Sequence, residues 1–285
     1  GQIGTYYVSY NTQAAPFDDP LVRQAFTLAV DRDYICKQIG KSGQIPAGAF
    51  VSEGLSDAAE GSSFREVGGD YYDPTAGANE ANLAKAKELL AEAGYPNGEG
   101  LPTITYLYNE GTGHQQIGEA LQQMWGQLGA TVTLESQEWA TFLNTRKSGG
   151  YTMARNGWLA DYNDPICFLD MWTSGSGNND IQYGKGAHKD LAMYSLDLTG
   201  LGYETKVENG TWAETFDVLI STIKSCTDNE KRYQLMHMAE DMLMDTGCIV
   251  PLYFYTDIYM LNKNVDGFFS NPLGYKYFMY CTVNG

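Results

Sequence analysis

Residues 151–165 read YTMARNGWLADYNDP, and the rest of the chain is organised around them. A short apolar strand, 151–153, runs into Arg155, Asn156, Gly157 and Trp158, and the stretch closes in a polar turn carrying Asp161, Asp164 and Pro165. One cation, one aromatic plate and two further carboxylates thus stand close together, beside a glycine that lets other groups approach the backbone. These are the parts needed to grip a zwitterion: a carboxylate for an ammonium, a guanidinium fork for a carboxylate, and an aromatic wall for the apolar body between them. Taken singly, each residue also suits an ordinary strand and turn in water. Their clustering points to a peptide-binding site.

Working outward, strands alternate with helices. On the N-terminal side the pattern predicts a strand over 5–10 (TYYVSY) and a helix opened by Asp18, Asp19 and Pro20, with a second segment over 31–40. It then predicts a helix over 78–93 closed by Gly94, a strand over 103–109, a helix over about 113–128, a strand over 131–134 and a helix over about 138–147. Beyond the central stretch come a short helix at 165–173, two amphipathic helices at about 211–225 and 229–244, and a buried strand over 249–255. Pro251 within that strand suits an edge or a bulge. Further strands are expected over 257–261 and 277–283. Two stretches, 41–76 and 174–210, carry no sustained period and read as irregular; the first is expected to be a long surface excursion. The alternation implies an α/β core with a parallel or mixed sheet, whose ligands sit where strands give way to loops. Residues 155–164 occupy such a position.

Composition narrows the function. The 285 residues suffice for one large or two medium domains, and 35 acidic against 18 basic residues give a formal charge of −17. Polyanions such as nucleic acid are excluded as partners by that charge. The longest apolar run, 248–255, falls far short of the ~20 residues of a membrane-spanning helix. The five cysteines are scattered and odd in number, so neither a disulfide framework nor a zinc ribbon is implied. The sequence has no GxSxG, HExxH or P-loop, and His114, His188 and His237 are too dispersed for a metal site. Asp161, Asp164 and Asp170 do not match the spacing of an EF-hand loop. Neither a cofactor nor a metal is implied.

The order of motifs resembles the C-terminal half of the bacterial extracellular solute-binding proteins of family 5, which deliver oligopeptides and dipeptides to ABC importers. The resemblance is carried by TYYVSYNT with PFDDPLVRQAFTLAVDR, AKAKELLAEAGYPNG, HQQIGEALQQMW, VTLESQEWATFLNTRKSG, ARNGWLADYNDPICFLDMWTSGSGNN, KRYQLMHMAEDML and IVPLYFY, spread over nearly the whole chain. It implies a periplasmic-binding-protein-like type II fold, with a distal α/β lobe of mixed sheet and flanking helices over 1–256. Residues 257–285 would be a C-terminal return segment into the other lobe. It further implies a monomer, outside the cell or in the periplasm, attached to the outer face of the cytoplasmic membrane through an N-terminal lipid anchor no longer present. The expected partners are an oligopeptide ligand, permease subunits and the N-terminal lobe of the same protein.

The resemblance also assigns roles. Asp161 matches the carboxylate that pairs with the peptide's α-ammonium, while Arg155 and His114 match groups that take its C-terminal carboxylate. Trp139 and Trp158 match pocket walls, Gly157 lies between the two charged positions, and Tyr7 and Tyr255 match positions beside the ligand backbone or the hinge. Two departures stand out. Residues 184–210 are longer than the usual connection and are expected to reshape the pocket rim, and no lysine matches near Gly40. Two other readings stay open: the same fold carrying a nickel complex, haem or oligosaccharide, and a glycoside hydrolase built on Asp161 with Asp164 or Glu135 with Glu138.

Overall fold

The computed structural model describes residues 1–185 and 194–284. Its central strand is β1 (Gly4–Tyr10), whose aromatic and β-branched residues are all buried. Around it lies a six-stranded mixed sheet in the order β2-β8-β1-β5-β3-β4, with β2 at Ile45–Pro46, β3 at Ile104–Asn109, β4 at Val132–Gln137, β5 at Met153–Leu159 and β8 at Ile249–Phe254. β1 runs antiparallel to β5 and β8, whereas β3 runs parallel to β4 and β5. The mixed sheet with flanking helices is the architecture expected from the alternating pattern.

Helices cover both faces. Tyr6, Val8 and Tyr10 pack among residues of α1 (Pro20–Leu28), α4 (Asn79–Glu92) and α5 (Thr112–Gly126); the short helices α2 (Arg32–Tyr34) and α3 (Phe64–Gly68) lie between α1 and α4 along the chain. Tyr7 points the other way, into residues of α7 (Ile166–Leu169), α8 (Trp212–Ser225) and α9 (Asn229–Asp245). α6 (Trp139–Lys147) connects β4 to β5. The helix starts are where the cap residues put them. The Asp19 side chain accepts from the Leu21 N–H with proline in the first turn, Thr211 and Glu214 form a capping box, and Asp228 caps α9.

Four expectations need correction or refinement. The stretch 41–76 is not simply a surface excursion, because Ala47, Ala49, Phe50, Val51, Leu55 and Phe64 are buried. Its order comes from distant partners. Glu240 on α9, fully buried, accepts from the Phe50 and Val51 N–H groups at 3.2 and 2.8 Å and pairs with both terminal nitrogens of Arg65 at 2.7 and 3.0 Å. β8 lies inside the sheet rather than at its edge, and the bulge expected of Pro251 is present: Tyr6 pairs with Tyr253 but Tyr7 with Pro251. The stretch 174–210 contains an antiparallel pair, β6 (Tyr194–Asp197) with β7 (Lys206–Gly210), and the buried residues Asn179 to Tyr183; part of the proposed rim segment, with His188, lies outside the described residues.

The last correction concerns the C-terminal strands. No strand forms over 257–261, and in place of one strand over 277–283 there are two small ribbons, β9 (Val265–Asp266) with β12 (Thr282–Val283) and β10 (Phe269–Ser270) with β11 (Lys276–Tyr277). With no neighbouring sheet to complete a ladder, the aromatic pattern cannot extend into a longer strand. The segment touches the start of the chain, where the Ile3 N–H donates to the Pro272 carbonyl, and it leaves Met260 98% exposed along with Ile258, Phe278, Met279 and Tyr280.

The Glu240 carboxylate generates a stability prediction. Glu240→Ala strands a buried guanidinium and two main-chain N–H groups, so the unfolding free energy is expected to drop by about 3–5 kcal/mol in urea titrations. A change below about 1 kcal/mol would show that the pair does not hold this segment.

Candidate functional site

Alternation along β5 sorts the central stretch onto two faces. Arg155 and Gly157 stand on the side of Tyr6. The Arg155 guanidinium lies over the Tyr6 ring, 5.0 Å from its centroid, and donates to Asn109 Oδ1 at 3.1 Å at the end of β3. Tyr6 stacks on Tyr253 at 4.9 Å and meets Tyr255 edge-on at 6.3 Å, so three phenol rings wall this side. Its hydroxyl is 3.0 Å from His114 Nδ1 in the first turn of α5. Gly157 lets the Tyr255 ring approach: a Cβ there would lie 2.6 Å from its hydroxyl, so the phenol would have to shift.

The electrostatics of this face are unbalanced. Arg155 is half-buried, its Nε has no hydrogen-bond partner, and no carboxylate pairs with it among the described residues. Burial first, and the Arg155 charge second, hold the His114 pKa down at about 4, so the imidazole is neutral at neutral pH. Burial also pushes the Tyr6 and Tyr255 phenols up, with Arg155 opposing the shift. The face therefore offers a guanidinium fork and neutral hydrogen-bonding groups, with nothing negative to satisfy it.

On the opposite face are Asn156 and Trp158. Asn156 is buried and its amide donates to Asp180 Oδ2 at 3.1 Å; the same carboxylate oxygen pairs with Arg146 Nε at 2.8 Å. Trp158 packs partly buried against the α9 side of the core, and its indole N–H has no partner among the described residues. Trp139 opens α6, 50% exposed and stacked on Phe142, and no ring contact joins the two indoles. Tyr7 is enclosed in the core against Phe50 and Trp172, with no exposed surface to offer a ligand. Its neighbour Tyr6 takes the position beside Arg155. Asp161 lies two residues past the end of β5, exposed in the turn, its carboxylate without a protein partner among the described residues. Asp164 instead pairs with Arg232 through both oxygens, at 2.8 and 3.1 Å, and shapes the turn.

Main-chain pairing of β5 is lopsided. β1 pairs with all of Met153–Leu159, but β3 pairs only with Met153 and Ala154. The Ala160 N–H donates to Ile3 and the Asn11 N–H to the Thr152 carbonyl, so the even-numbered residues direct their main-chain groups toward β1. Arg155, Gly157 and Leu159 direct theirs to the other side, where β3 pairs no further than Ala154 and, among the described residues, no strand lies beside Gly157 and Leu159. Arg155 and Gly157, with His114 and Tyr255, are thus brought together at this half-open edge; Trp139 and Tyr7 are not. Tyr6, Tyr253 and Asn109 belong to the cluster without having been singled out from sequence, although the period-2 alternation of TYYVSY already requires Tyr6 and Tyr7 to face opposite ways. Among the described residues no group of three or more His, Cys, Asp or Glu side chains is arranged to hold a metal ion.

Comparison with known proteins places these features in context. The family model described as "Bacterial extracellular solute-binding proteins, family 5 Middle" matches residues 1–180. The chain is 34% identical over 278 residues to the dipeptide-binding protein DppE of Bacillus subtilis, covering 96% of this chain and 44% of that protein. It is 33% identical over 265 residues to the periplasmic oligopeptide-binding protein OppA of Salmonella typhimurium, covering 93% of this chain and 42% of that one. The chain therefore spans less than half the length of these relatives. Among solved structures, it resembles Haemophilus influenzae OppA in complex with the peptide RPPGFSPFR, with a TM-score of 0.76 at 26% identity, covering all of this chain and 49% of that one. It also resembles the Escherichia coli murein tripeptide binding protein MppA, with a TM-score of 0.75 at 28% identity, covering 99% and 48%.

The depressed histidine yields a pH prediction. In NMR titrations His114 is expected to protonate with a midpoint of about 4, and Arg155→Met is expected to raise it. Because the unfolded chain takes up this proton near 6.5, the native state loses stability as the pH falls from 6.5 toward 4. A midpoint at or above 6 would mean that His114 is solvated rather than held against Arg155.

Proposed function

Because the chain belongs to the bacterial extracellular solute-binding proteins of family 5, a family of binding proteins rather than hydrolases, we propose that it forms one wall of a peptide-binding cleft serving an ABC importer. The observation that carries this reading is the unpaired half of β5. An extended peptide laid along Arg155–Leu159 would add a strand there, gaining main-chain hydrogen bonds that every peptide can supply irrespective of sequence. The ends of such a ligand have matching partners. Arg155, a half-buried cation without an acid among the described residues, and neutral His114 would take the C-terminal carboxylate; Asp161, without a base among the same residues, would take the α-ammonium. Asp161 lies six positions beyond Arg155, at most about 20 Å of extended chain, which fits a short peptide.

An ammonium–carboxylate pair at exposed Asp161 contributes little in water. It contributes more once a second lobe covers it, so closure of the two lobes would be part of the affinity, and the closed form would then dock on the permease. The apolar groups exposed over 257–284 suit burial against that second lobe. Trp158, partly buried with its indole N–H free, would flank the ligand at one side of β5, and Trp139 would reach it from α6. The dipeptide- and oligopeptide-binding relatives support a peptide cargo, and the family supports a site of action outside the cytoplasmic membrane.

Calorimetry on the intact protein containing this chain, with peptides of two to six residues, tests the proposal. Saturable one-to-one binding of peptides of unrelated sequence is expected, and heats indistinguishable from dilution for all of them would reject it. Asp161→Ala should weaken binding of free-amine peptides by about tenfold and leave N-acetylated peptides nearly unaffected. Equal losses for both classes would remove Asp161 from the proposed role.

A further inference from the structure

The two main-chain groups at the middle of the open β5 edge are already occupied by side chains. The Gly157 N–H donates to the Asn156 side-chain oxygen at 2.8 Å, and the Arg155 carbonyl accepts from Arg146 Nη1 at 3.2 Å. Both side chains converge on one buried acid, since Asn156 Nδ2 lies 3.1 Å and Arg146 Nε 2.8 Å from Asp180 Oδ2. Nothing on a standard strand requires this arrangement. A side-chain amide that folds over to its own following N–H replaces the partner that a neighbouring strand would supply.

We propose that the Asn156 carboxamide is an internal stand-in for ligand main chain, holding the Gly157 N–H until a peptide carbonyl displaces it. The proposal rests on the peptide reading given above and names the residue that sets the cost of entry. A bare edge would pair with any extended chain it met; a capped one admits only a strand whose carbonyl arrives in register at Gly157 and which gains enough elsewhere to make the exchange favourable. The chemistry of asparagine suits this role. Its planar amide holds Asp180 with the nitrogen and the Gly157 N–H with the oxygen, so a ligand carbonyl that takes that N–H turns the whole group and is felt at both ends. An aspartate in its place would set a second carboxylate against Asp180, and an alanine would leave the N–H open.

Two measurements on the intact protein test this. In TROSY spectra without peptide, Asn156→Ala is expected to move the Gly157 amide proton upfield; in wild-type protein, saturation with a tripeptide is expected to shift both the Asn156 side-chain amide and the Gly157 amide. With the competitor removed, Asn156→Ala should bind the tripeptide about fivefold more tightly. Equal or weaker binding by a folded variant, or wild-type Asn156 and Gly157 resonances unmoved at saturation, would overturn the proposal while leaving peptide binding intact. The wild-type spectra decide the matter alone should the variant fail to fold. Wild-type protein that binds no peptide at all would sink the peptide reading, and this proposal with it.

Discussion

A strand inside a sheet must satisfy its main-chain groups on both sides, and the candidate site is arranged around one strand that does not do so with other strands alone. β1 is paired along its length with β5 on one side and β8 on the other. β5 shares that ladder fully with β1 but leaves β3 after two residues. The divergence opens the sheet at the point where Arg155, Gly157 and Trp158 follow one another. Unmet hydrogen-bonding capacity in a partly buried place is costly, and the protein meets it in part with its own side chains.

Charge is treated in two ways across the molecule. Arg65 with Glu240 and Arg146 with Asp180 are buried pairs in which each ion has a close opposite, and each ties distant segments together. Arg155 is different: among the described residues it has an amide oxygen and an aromatic face for company but no acid, and its proximity helps keep His114 uncharged. A core would not leave a cation so poorly compensated without reason. The contrast separates ions paired within the fold from a cation that has no opposite charge beside it among the described residues.

The sequence was most legible where structure is local. Asp19 and Pro20 announce α1, Thr211 and Glu214 announce α8, and the run TYYVSY announces a buried strand, because caps and short-range alternation act over a few residues. Long-range partners left no such mark. Phe50 and Val51 look like loop residues until Glu240, far along the chain, is seen to accept from both their N–H groups. Asn156 and Asp180 look unremarkable apart and become a pair only when the turn near residue 180 packs under β5. In the candidate site, Arg155, Gly157, His114 and Tyr255 stand out by their chemistry alone, whereas Tyr6 and Tyr7 look alike in sequence although only Tyr6 lies beside Arg155. Telling those two apart requires knowing which side of the sheet each helix covers, and that is fixed by the crossovers rather than by any residue.

The irregular step at Leu252 has a further effect on that choice. Proline at 251 has no N–H for the ladder, and the extra residue that follows shifts the count of β8 by one before Tyr253. Odd and even therefore exchange sides halfway along the strand: Ile249 lies on the α9 side, yet Tyr253 and Tyr255 both lie with Tyr6. In an uninterrupted ladder the two phenols would share Ile249's side and the guanidinium of Arg155 would have lost most of its aromatic enclosure. A single inserted position thus sets the parity of the strand, and with it the make-up of the wall.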